Sequence, residues 1–160
     1  SPHAVPGSRP LKQGEPIVID MGLILDGYCS DMTRTVVLGT PDQKIVELFR
    51  LVRKAQLAGT GVIRAGITGK EADRAAREVI TAAGLGDKFG HGLGHGVGLA
   101  VHEAPSLNRR NNKKLQSGMI ITVEPGVYLP GLGGIRLENM GVVEENGCRI
   151  LNRDTTFLDL

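Results

Sequence analysis

The sequence has few aromatic residues, few cysteines and little net charge. Phe, Tyr and Trp make up 3% of its 160 residues, Trp is absent, and the net charge is +2. The two cysteines, Cys29 and Cys148, lack metal-site spacing, and no secretory signal precedes them, so we expect a reduced, cytoplasmic protein. No apolar run reaches the roughly 18 residues of a membrane span. The charge gives no reason to expect nucleic-acid or membrane binding, and the composition is typical of one globular domain.

Glycine, in contrast, is abundant, with 23 residues, and one Asp-Gly pair lies between two aspartates. In IVIDMGLILDGYCSDMTRTVVLG, Asp20 and Asp31 are eleven residues apart around Asp26-Gly27. Asp-Gly between aliphatic runs predicts a hairpin, here with strands at 16–25 and 28–38. Folding about this turn would place the two aspartates opposite, or nearly opposite, on neighbouring strands.

A second stretch repeats the arrangement with glutamates. In ITVEPGVYLPGLGGIRLENMGVV, Glu124 and Glu138 are fourteen residues apart around Pro130-Gly131. Strands are predicted at 119–129, 134–145 and 148–151. Like charges that face each other destabilise a sheet, so two such pairs predict a bound cation.

Between the hairpins the pattern becomes helical. Thr40 followed by Pro41 predicts the start of one helix, and Thr68 with Glu71 forms the capping box of a second. Glycines in the 59–66 region are expected to end or interrupt the first helix. Apolar stripes are predicted to face the core at Ile45, Leu48, Phe49, Val52, Ala55, Ala72, Ala75, Ala76, Val79 and Ile80. Hairpins separated by helices predict an α+β fold.

Three of the four histidines fall in GHGLGHGVGLAVHEAP, residues 90–105. This segment lacks a phosphate-loop lysine and the HExxH zinc motif. Each of His91, His95 and His102 alone is compatible with a buried, hydrogen-bonded imidazole, but together they indicate a functional site. His3 follows Pro2 in an extended N-terminal segment and alone is compatible with a solvated loop histidine.

Four carboxylates and one imidazole fit a site for two divalent cations, which would neutralise the four negative charges. Oxygen-dominated ligation favours Mn²⁺ and allows Co²⁺, Fe²⁺ or Zn²⁺. The alternative is that Asp20 is paired with Arg34. Arg136, which shares a strand face with Glu138, is equally compatible with a counter-ion and a substrate contact.

Four segments, the two carboxylate stretches, HGLGHGVGLAVHEAP and the early Pro-His, resemble the pita-bread (M24) metallopeptidases over nearly the whole sequence. They are most similar to the Xaa-Pro aminopeptidases and Xaa-Pro dipeptidases (prolidases). The resemblance implies a curved antiparallel sheet covered by helices, two divalent metal ions, a proline-containing peptide substrate and a homodimer. It also implies hydrolysis of the Xaa-Pro bond by a metal-bridging hydroxide.

The same resemblance implies the metal ligands. Asp20 would bind one metal, Asp31 and Glu138 would bridge the two, and His95 and Glu124 would complete the ligand set of the second metal. Glu124 would also handle the proton of the attacking water.

The resemblance further implies residues around the substrate. His102 would contact the substrate or intermediate, and His91 and His3 would line the site, with Arg136 beside the metals. His91 and His102 are therefore catalytic candidates together with Glu124.

Two alternatives remain. Methionine aminopeptidases share the five ligands, but they resemble GDTS where this sequence has SDMTRT, and their glutamates lie farther apart. Creatinase lacks these ligands. A non-catalytic pita-bread binding module is the other alternative.

Family members have more catalytic-domain sequence before the position of His3. We therefore expect 1–160 to be a single catalytic domain without its start. Its exposed sheet face should either be covered by a second copy or be unstable. The sequence leaves dipeptidase and aminopeptidase activity undecided.

Overall fold

The computed structural model describes residues 2–159, which form two α-helices, a short 3-10 turn and eleven strands. All strand pairings in this range are antiparallel. The strands are β1 (Pro16–Met21), β2 (Ile24–Leu25), β3 (Tyr28–Cys29), β4 (Met32–Val37), β5 (Gly94–Gly96), β6 (Glu103–Leu107), β7 (Ile120–Val123), β8 (Gly126–Leu129), β9 (Gly133–Arg136), β10 (Asn139–Val143) and β11 (Cys148–Ile150). The helices are α1 (Gln43–Val62) and α2 (Gly69–Ala82), and Gly86–Lys88 forms the 3-10 turn.

The first predicted hairpin is present, but its strands are interrupted. β1 pairs with β4, and β2 and β3 continue the same register to a two-residue turn. Asp26 (φ 50°) and Gly27 (φ 86°) both have positive φ angles, as a type I′ turn requires. The strands break at Gly22, where a Cβ atom would lie only 2.2 Å from the carbonyl oxygen of Ser30.

The second hairpin, β8–β9, turns through residues 130–132 with Gly131 at φ 79°. The predicted strand 119–129 is divided between β7 and β8 at Pro125, which has no N–H for a strand ladder. The predicted strand 134–145 is likewise divided after Arg136. As a result, Glu124 and Glu138 lie just beyond strand ends rather than within strands.

The two helices form as expected, except at the start of α1. Its N-cap is Asp42, whose side chain accepts a hydrogen bond from Lys44 N at 2.8 Å, and not Thr40. α1 ends at Val62, within the expected 59–66 region, and at Gly59 it lies against α2, where a Cβ would be 3.2 Å from Ala76 Cβ. The predicted capping box at the start of α2 is present.

The core lies between the helices and the strands, which confirms the α+β prediction. Five strands form one sheet in the order β11-β10-β7-β5-β6, and α1 contacts β7, β8 and β9. The stripe predicted for α1 is buried, and so are three residues of the α2 stripe, Ala72, Ala76 and Ile80. Ala75 and Val79 are only partly buried. Neither helix in the described part of the chain is long and apolar enough to cross a membrane.

Candidate metal centre

The first carboxylate pair is nearly opposite, as expected. Asp20 in β1 pairs with Thr33, so Asp31 is displaced by two residues along the neighbouring strand. Asp31 is 8% exposed, whereas the side chain of Asp20 is 47% exposed. The hairpin therefore presents one buried and one accessible carboxylate to the same region.

The second pair follows the register of β8 and β9. Gly126 pairs with Arg136, and Glu124 and Glu138 are each two residues beyond that pair. Glu138 is 2% exposed, and its Oε2 accepts a hydrogen bond from Thr33 Oγ1 at 2.6 Å. Its Oε1 is buried without a hydrogen-bond partner. An unpartnered buried carboxylate oxygen is costly and is suited to binding a cation.

His95 in β5 joins the two pairs. Its Nδ1 donates to the carbonyl oxygen of Gly96 at 3.1 Å, which leaves Nε2 directed at the carboxylates. That nitrogen lies 3.6 Å from Asp31 Oδ2 and 3.3 Å from Glu124 Oε1. β5 can lie this close to β7 because Gly94 has no side chain. A Cβ at Gly94 would be only 2.0 Å from the carbonyl oxygen of Thr122.

Three groups of side chains each offer ligand atoms within 4.8 Å of one another. The groups are Asp20, Asp31 and Glu138; His95, Glu124 and Glu138; and Asp31, His95 and His102. Asp31, His95 and Glu138 each belong to two of the three groups. Overlapping groups of this kind, rich in carboxylates, fit two divalent cations with shared ligands.

The pKa shifts show how much negative charge is concentrated here. Burial, followed by the charges of Glu124 and Asp31, raises the pKa of Glu138 to about 8. Burial and the nearby Asp20 also raise the pKa of Asp31. Burial alone would lower the pKa of His95, but its hydrogen bonds to Glu124 and a backbone carbonyl, and the charges of the glutamates, raise it to about 8. Without a cation, the folded chain therefore favours protonated forms of these groups.

Arg136 is a counter-ion within the protein. Its side chain is 4% exposed and NH2 contacts Asp20 Oδ2 at 2.5 Å. NH1 donates to Tyr128 OH at 3.1 Å and to the carbonyl oxygen of Pro2 at 2.9 Å. Of the two interpretations left open by the sequence, these contacts favour the counter-ion. Asp20 is consequently not paired with Arg34, which instead donates to the carbonyl oxygen of Glu138 and to Asn139 Oδ1.

Tyr128 is a site residue that sequence reasoning missed. Its hydroxyl lies 3.0 Å from His91 Nε2 and accepts from Arg136. Because Gly92 O can only accept from His91 Nδ1, at 2.8 Å, Nε2 of the neutral ring accepts from the tyrosine. Burial lowers the pKa of His91, which favours that neutral ring. No local pattern in the sequence identifies it, and only the folded hairpin shows that Gly126 makes room for it, since a Cβ at Gly126 would be 2.5 Å from its hydroxyl oxygen.

The candidate metal ligands line a cavity with a volume of about 340 Å³, and the remaining histidines line it as well. The ring of His102 is exposed, and its centroid lies 4.1 Å from that of His95. His3 is exposed at the edge of the cavity, and Asn108, which the sequence did not suggest, is on its wall. All nine predicted site residues line this cavity.

Comparison with known proteins agrees with this arrangement. Residues 1–145 match the family described as metallopeptidase family M24. The chain belongs to metallopeptidase family M24. It is 43% identical to the Xaa-Pro dipeptidase of Pyrococcus furiosus over 152 residues, which are 95% of this chain and 44% of that protein.

Solved structures of relatives show the same fold. The Xaa-Pro dipeptidase from Bacillus anthracis overlaps with a TM-score of 0.93 at 44% identity, over 96% of this chain and 43% of that chain. The X-Pro aminopeptidase from Thermotoga maritima gives 0.92 at 43% identity, with the same coverage. The predicted pita-bread fold is confirmed, and this M24 chain spans less than half the length of these relatives.

A second, larger cavity of this M24 chain adjoins the metal centre. It has a volume of about 910 Å³ and shares Pro2, His3, Asp20 and Arg136 with the first. Apolar side chains of the N-terminal segment and of β1 and β8 form much of its wall. The carboxylate cluster therefore opens onto a mainly apolar groove.

Proposed function

We propose that this chain is the catalytic part of a dinuclear-metal peptidase that hydrolyses the Xaa-Pro bond of peptides or dipeptides. One observation carries the proposal: four carboxylates and His95 converge around Glu138, whose Oε1 is buried and unpartnered. The names of the relatives, Xaa-Pro dipeptidase and X-Pro aminopeptidase, supply the substrate class. Residues 1–160 would act as one catalytic domain.

The overlapping groups are compatible with the following assignment. Asp20 would hold one cation, Asp31 and Glu138 would serve both, and His95 and Glu124 would hold the second. Mn²⁺ suits this oxygen-rich set best, with Co²⁺, Fe²⁺ or Zn²⁺ as alternatives. When bound, the cations activate a water molecule and polarise the carbonyl group of the scissile bond.

The protein side chains would supply the proton transfers and the positioning. Glu124, between His95 and Arg136, is placed to accept a proton from the attacking water and pass it to the leaving proline nitrogen. His102 is exposed in the cavity next to His95 and can donate a hydrogen bond to the substrate carbonyl oxygen. Both nitrogens of His91 already contact protein groups, so His91 shapes the wall of the cavity and His3 its edge.

The test is metal content and hydrolysis by the complete natural polypeptide. Metal-stripped protein is expected to bind two Mn²⁺ ions per chain and then to release the N-terminal residue from Ala-Pro, with or without cleavage of Ala-Pro-Gly. Asp31→Asn and Glu138→Gln should abolish both properties, whereas Glu145→Gln, at an exposed position, should change neither. Full activity of either ligand variant would refute the assignment.

The same assay separates the alternatives. A methionine aminopeptidase would prefer Met-Ala-Ser to Ala-Pro-Gly. A non-catalytic binding module would neither bind the metals tightly nor cleave any of these peptides. Cleavage of Ala-Pro without Ala-Pro-Gly would identify a dipeptidase, and cleavage of both an aminopeptidase.

A homodimer is also part of the proposal. Exposed apolar side chains are clustered at the first hairpin and the nearby 99–101 segment, with Leu23, Ile24, Leu25, Tyr28 and Leu99 more than 60% exposed. Burial of such a patch against a second copy would be favourable. A cytoplasmic location stays a prediction of the sequence.

A further inference from the structure

A buried ion pair on α2 contacts the backbone of the segment that carries His91. Asp73 and Arg77 are one helical turn apart, and their side chains are 1% and 11% exposed. The guanidinium binds both carboxylate oxygens, with Nε to Oδ2 and NH2 to Oδ1 each at 2.8 Å. Neither residue touches the metal ligands, so the metal centre alone does not explain why the pair is present.

The pair holds alternate residues of the segment 89–93. Arg77 NH1 donates to the carbonyl oxygen of Phe89 at 2.7 Å, and NH2 donates to that of His91 at 2.6 Å. Asp73 Oδ1 accepts from Leu93 N at 3.1 Å. Residues 89–93 belong to no helix or strand, so this pair supplies hydrogen-bond partners that a sheet would otherwise provide.

Side-chain stacking strengthens the contact. Arg77 Cζ lies 3.9 Å from the centroid of the Phe89 ring, within the range of a cation–π interaction. The Phe89 ring in turn meets the His91 ring edge-on at 5.0 Å. The backbone and the imidazole of His91 are thus both held by contacts from α2 and Phe89, while the hydroxyl of Tyr128 contacts Nε2 of the ring.

The segment needs such support because it contains two glycines. A Cβ at Gly90 would meet nothing within 4 Å, so no packing restricts the backbone there, and glycine is the residue with the greatest conformational freedom. Leu93, at the far end, accepts the N–H of Glu124 at 2.7 Å. The pair therefore connects α2 to the wall of the cavity and, through one residue, to a proposed metal ligand.

We propose that Asp73 and Arg77 are positioning residues that hold His91 in the geometry needed for catalysis. This inference rests on the proposed function. An ion pair that only stabilised α2 would tolerate lysine, which keeps the charge at the i, i+4 spacing. Lysine cannot bind both carboxylate oxygens and both carbonyls at once, because it lacks the planar fork of arginine. Arg77→Lys therefore distinguishes positioning from helix stabilisation.

The experiment compares Arg77→Lys with Arg74→Lys, a matched control in the exposed Arg74–Glu78 pair of the same helix. In the metal-free natural polypeptide, NMR of the His91 ring should show one neutral tautomer for the wild type and the control. Arg77→Lys should shift or broaden these signals. With Mn²⁺ bound, Arg77→Lys should lower kcat/KM for Ala-Pro by about 100-fold, as expected for a misplaced group, while Mn²⁺ affinity stays unchanged.

Unchanged His91 signals and unchanged kcat/KM in Arg77→Lys would overturn the inference, and so would a parallel loss of Mn²⁺ binding. If Arg77→Lys fails to fold, Asp73→Asn replaces it, since it keeps an acceptor for Leu93 N and removes the charge opposite the arginine. Absence of Ala-Pro hydrolysis in the wild type would refute the proposed function alone. The His91 signals of the metal-free chain would then still decide the role of the pair.

Discussion

Glu138 is expected to destabilise the metal-free protein, so Glu138→Gln should stabilise it. The pKa of Glu138 is raised from 4.5 to about 8 by burial and by neighbouring carboxylates. At pH 7.5 the unfolded chain carries this group ionised, while the folded chain favours the proton. Because pH 7.5 lies three units above 4.5, keeping this proton costs the folded state about 4 kcal/mol relative to the unfolded state, at 1.36 kcal/mol per unit.

Glutamine removes this cost because it has no charge. Its amide oxygen can still accept the hydrogen bond of Thr33, and its amide N–H can face Glu124 or Asp31. Allowing about 1–3 kcal/mol for imperfect hydrogen bonds, we expect a net gain of about 1–3 kcal/mol at pH 7.5 in EDTA. At pH 5 the gain should disappear, because the cost then falls below about 1 kcal/mol.

The assay is urea unfolding of the wild type, Glu138→Gln and the exposed control Glu145→Gln, at pH 5 and pH 7.5 in EDTA. The control should stay within about 0.5 kcal/mol of the wild type. Excess Mn²⁺ should reverse the order, since each of the two ions, at 100 times its dissociation constant, stabilises the wild type by about 2.7 kcal/mol. If Glu138→Gln gains nothing in EDTA at pH 7.5, or gains equally at pH 5, the reasoning about Glu138 is refuted.

Three further predictions concern the surroundings of the centre. Gly94→Ala should lower the free energy of unfolding by about 1–3 kcal/mol, because its Cβ would meet a backbone oxygen at 2.0 Å, whereas Gly61→Ala, with nothing within 4 Å, should be neutral or stabilising in the same urea assay. Tyr128→Phe should cost about 1–3 kcal/mol by leaving buried partners unsatisfied, and it should lower kcat for Ala-Pro; unchanged values of both would argue against the bridging hydroxyl. The metal-free wild type should lose stability in urea as the pH rises from 6 to 9, because the folded chain keeps the protons of His95 and Glu138 up to about pH 8, whereas the unfolded chain loses them near 6.5 and 4.5. A rise over the same range would contradict this assignment.

The sequence was sufficient to predict that these carboxylates and His95 converge, because like charges placed around a turn are costly without a partner. Each stretch has two carboxylates around a turn, Asp20 and Asp31 around Asp-Gly and Glu124 and Glu138 around Pro-Gly. Pairing the strands of either stretch therefore brings like charges together. The turn residues determine the strand register, and the two carboxylates of each hairpin lie within two positions of direct pairing. This is close enough to bring the groups together. The two predicted helix starts fared unequally: α2 begins at its predicted capping box, whereas Asp42 and not Thr40 caps α1.

The features that escaped prediction depend on distance in the chain. Tyr128 is aromatic in a strand, which local rules assign to the core. Its hydroxyl acquires a role only because the hairpin brings Arg136 beside it and β5 brings His91 to its other side. The alternative pairing of Asp20 with Arg34 fails for the same reason, since Arg34 binds Glu138 and Asn139, which lie more than 100 residues away. Periodicity within a segment carries no information on such contacts.

The Asp73–Arg77 pair could be predicted only in part from the sequence. Its i, i+4 spacing on a predicted helix is visible in the sequence, but that pattern is typical of exposed pairs such as Arg74–Glu78. What separates them is that Asp73 is turned toward the small-residue stripe of α2, adjacent to Ala72 and Ala76. A charged residue on the side of a helix that packs on the core must find partners there. The glycine-rich segment, with unpaired backbone groups of its own, is the partner that the fold supplies.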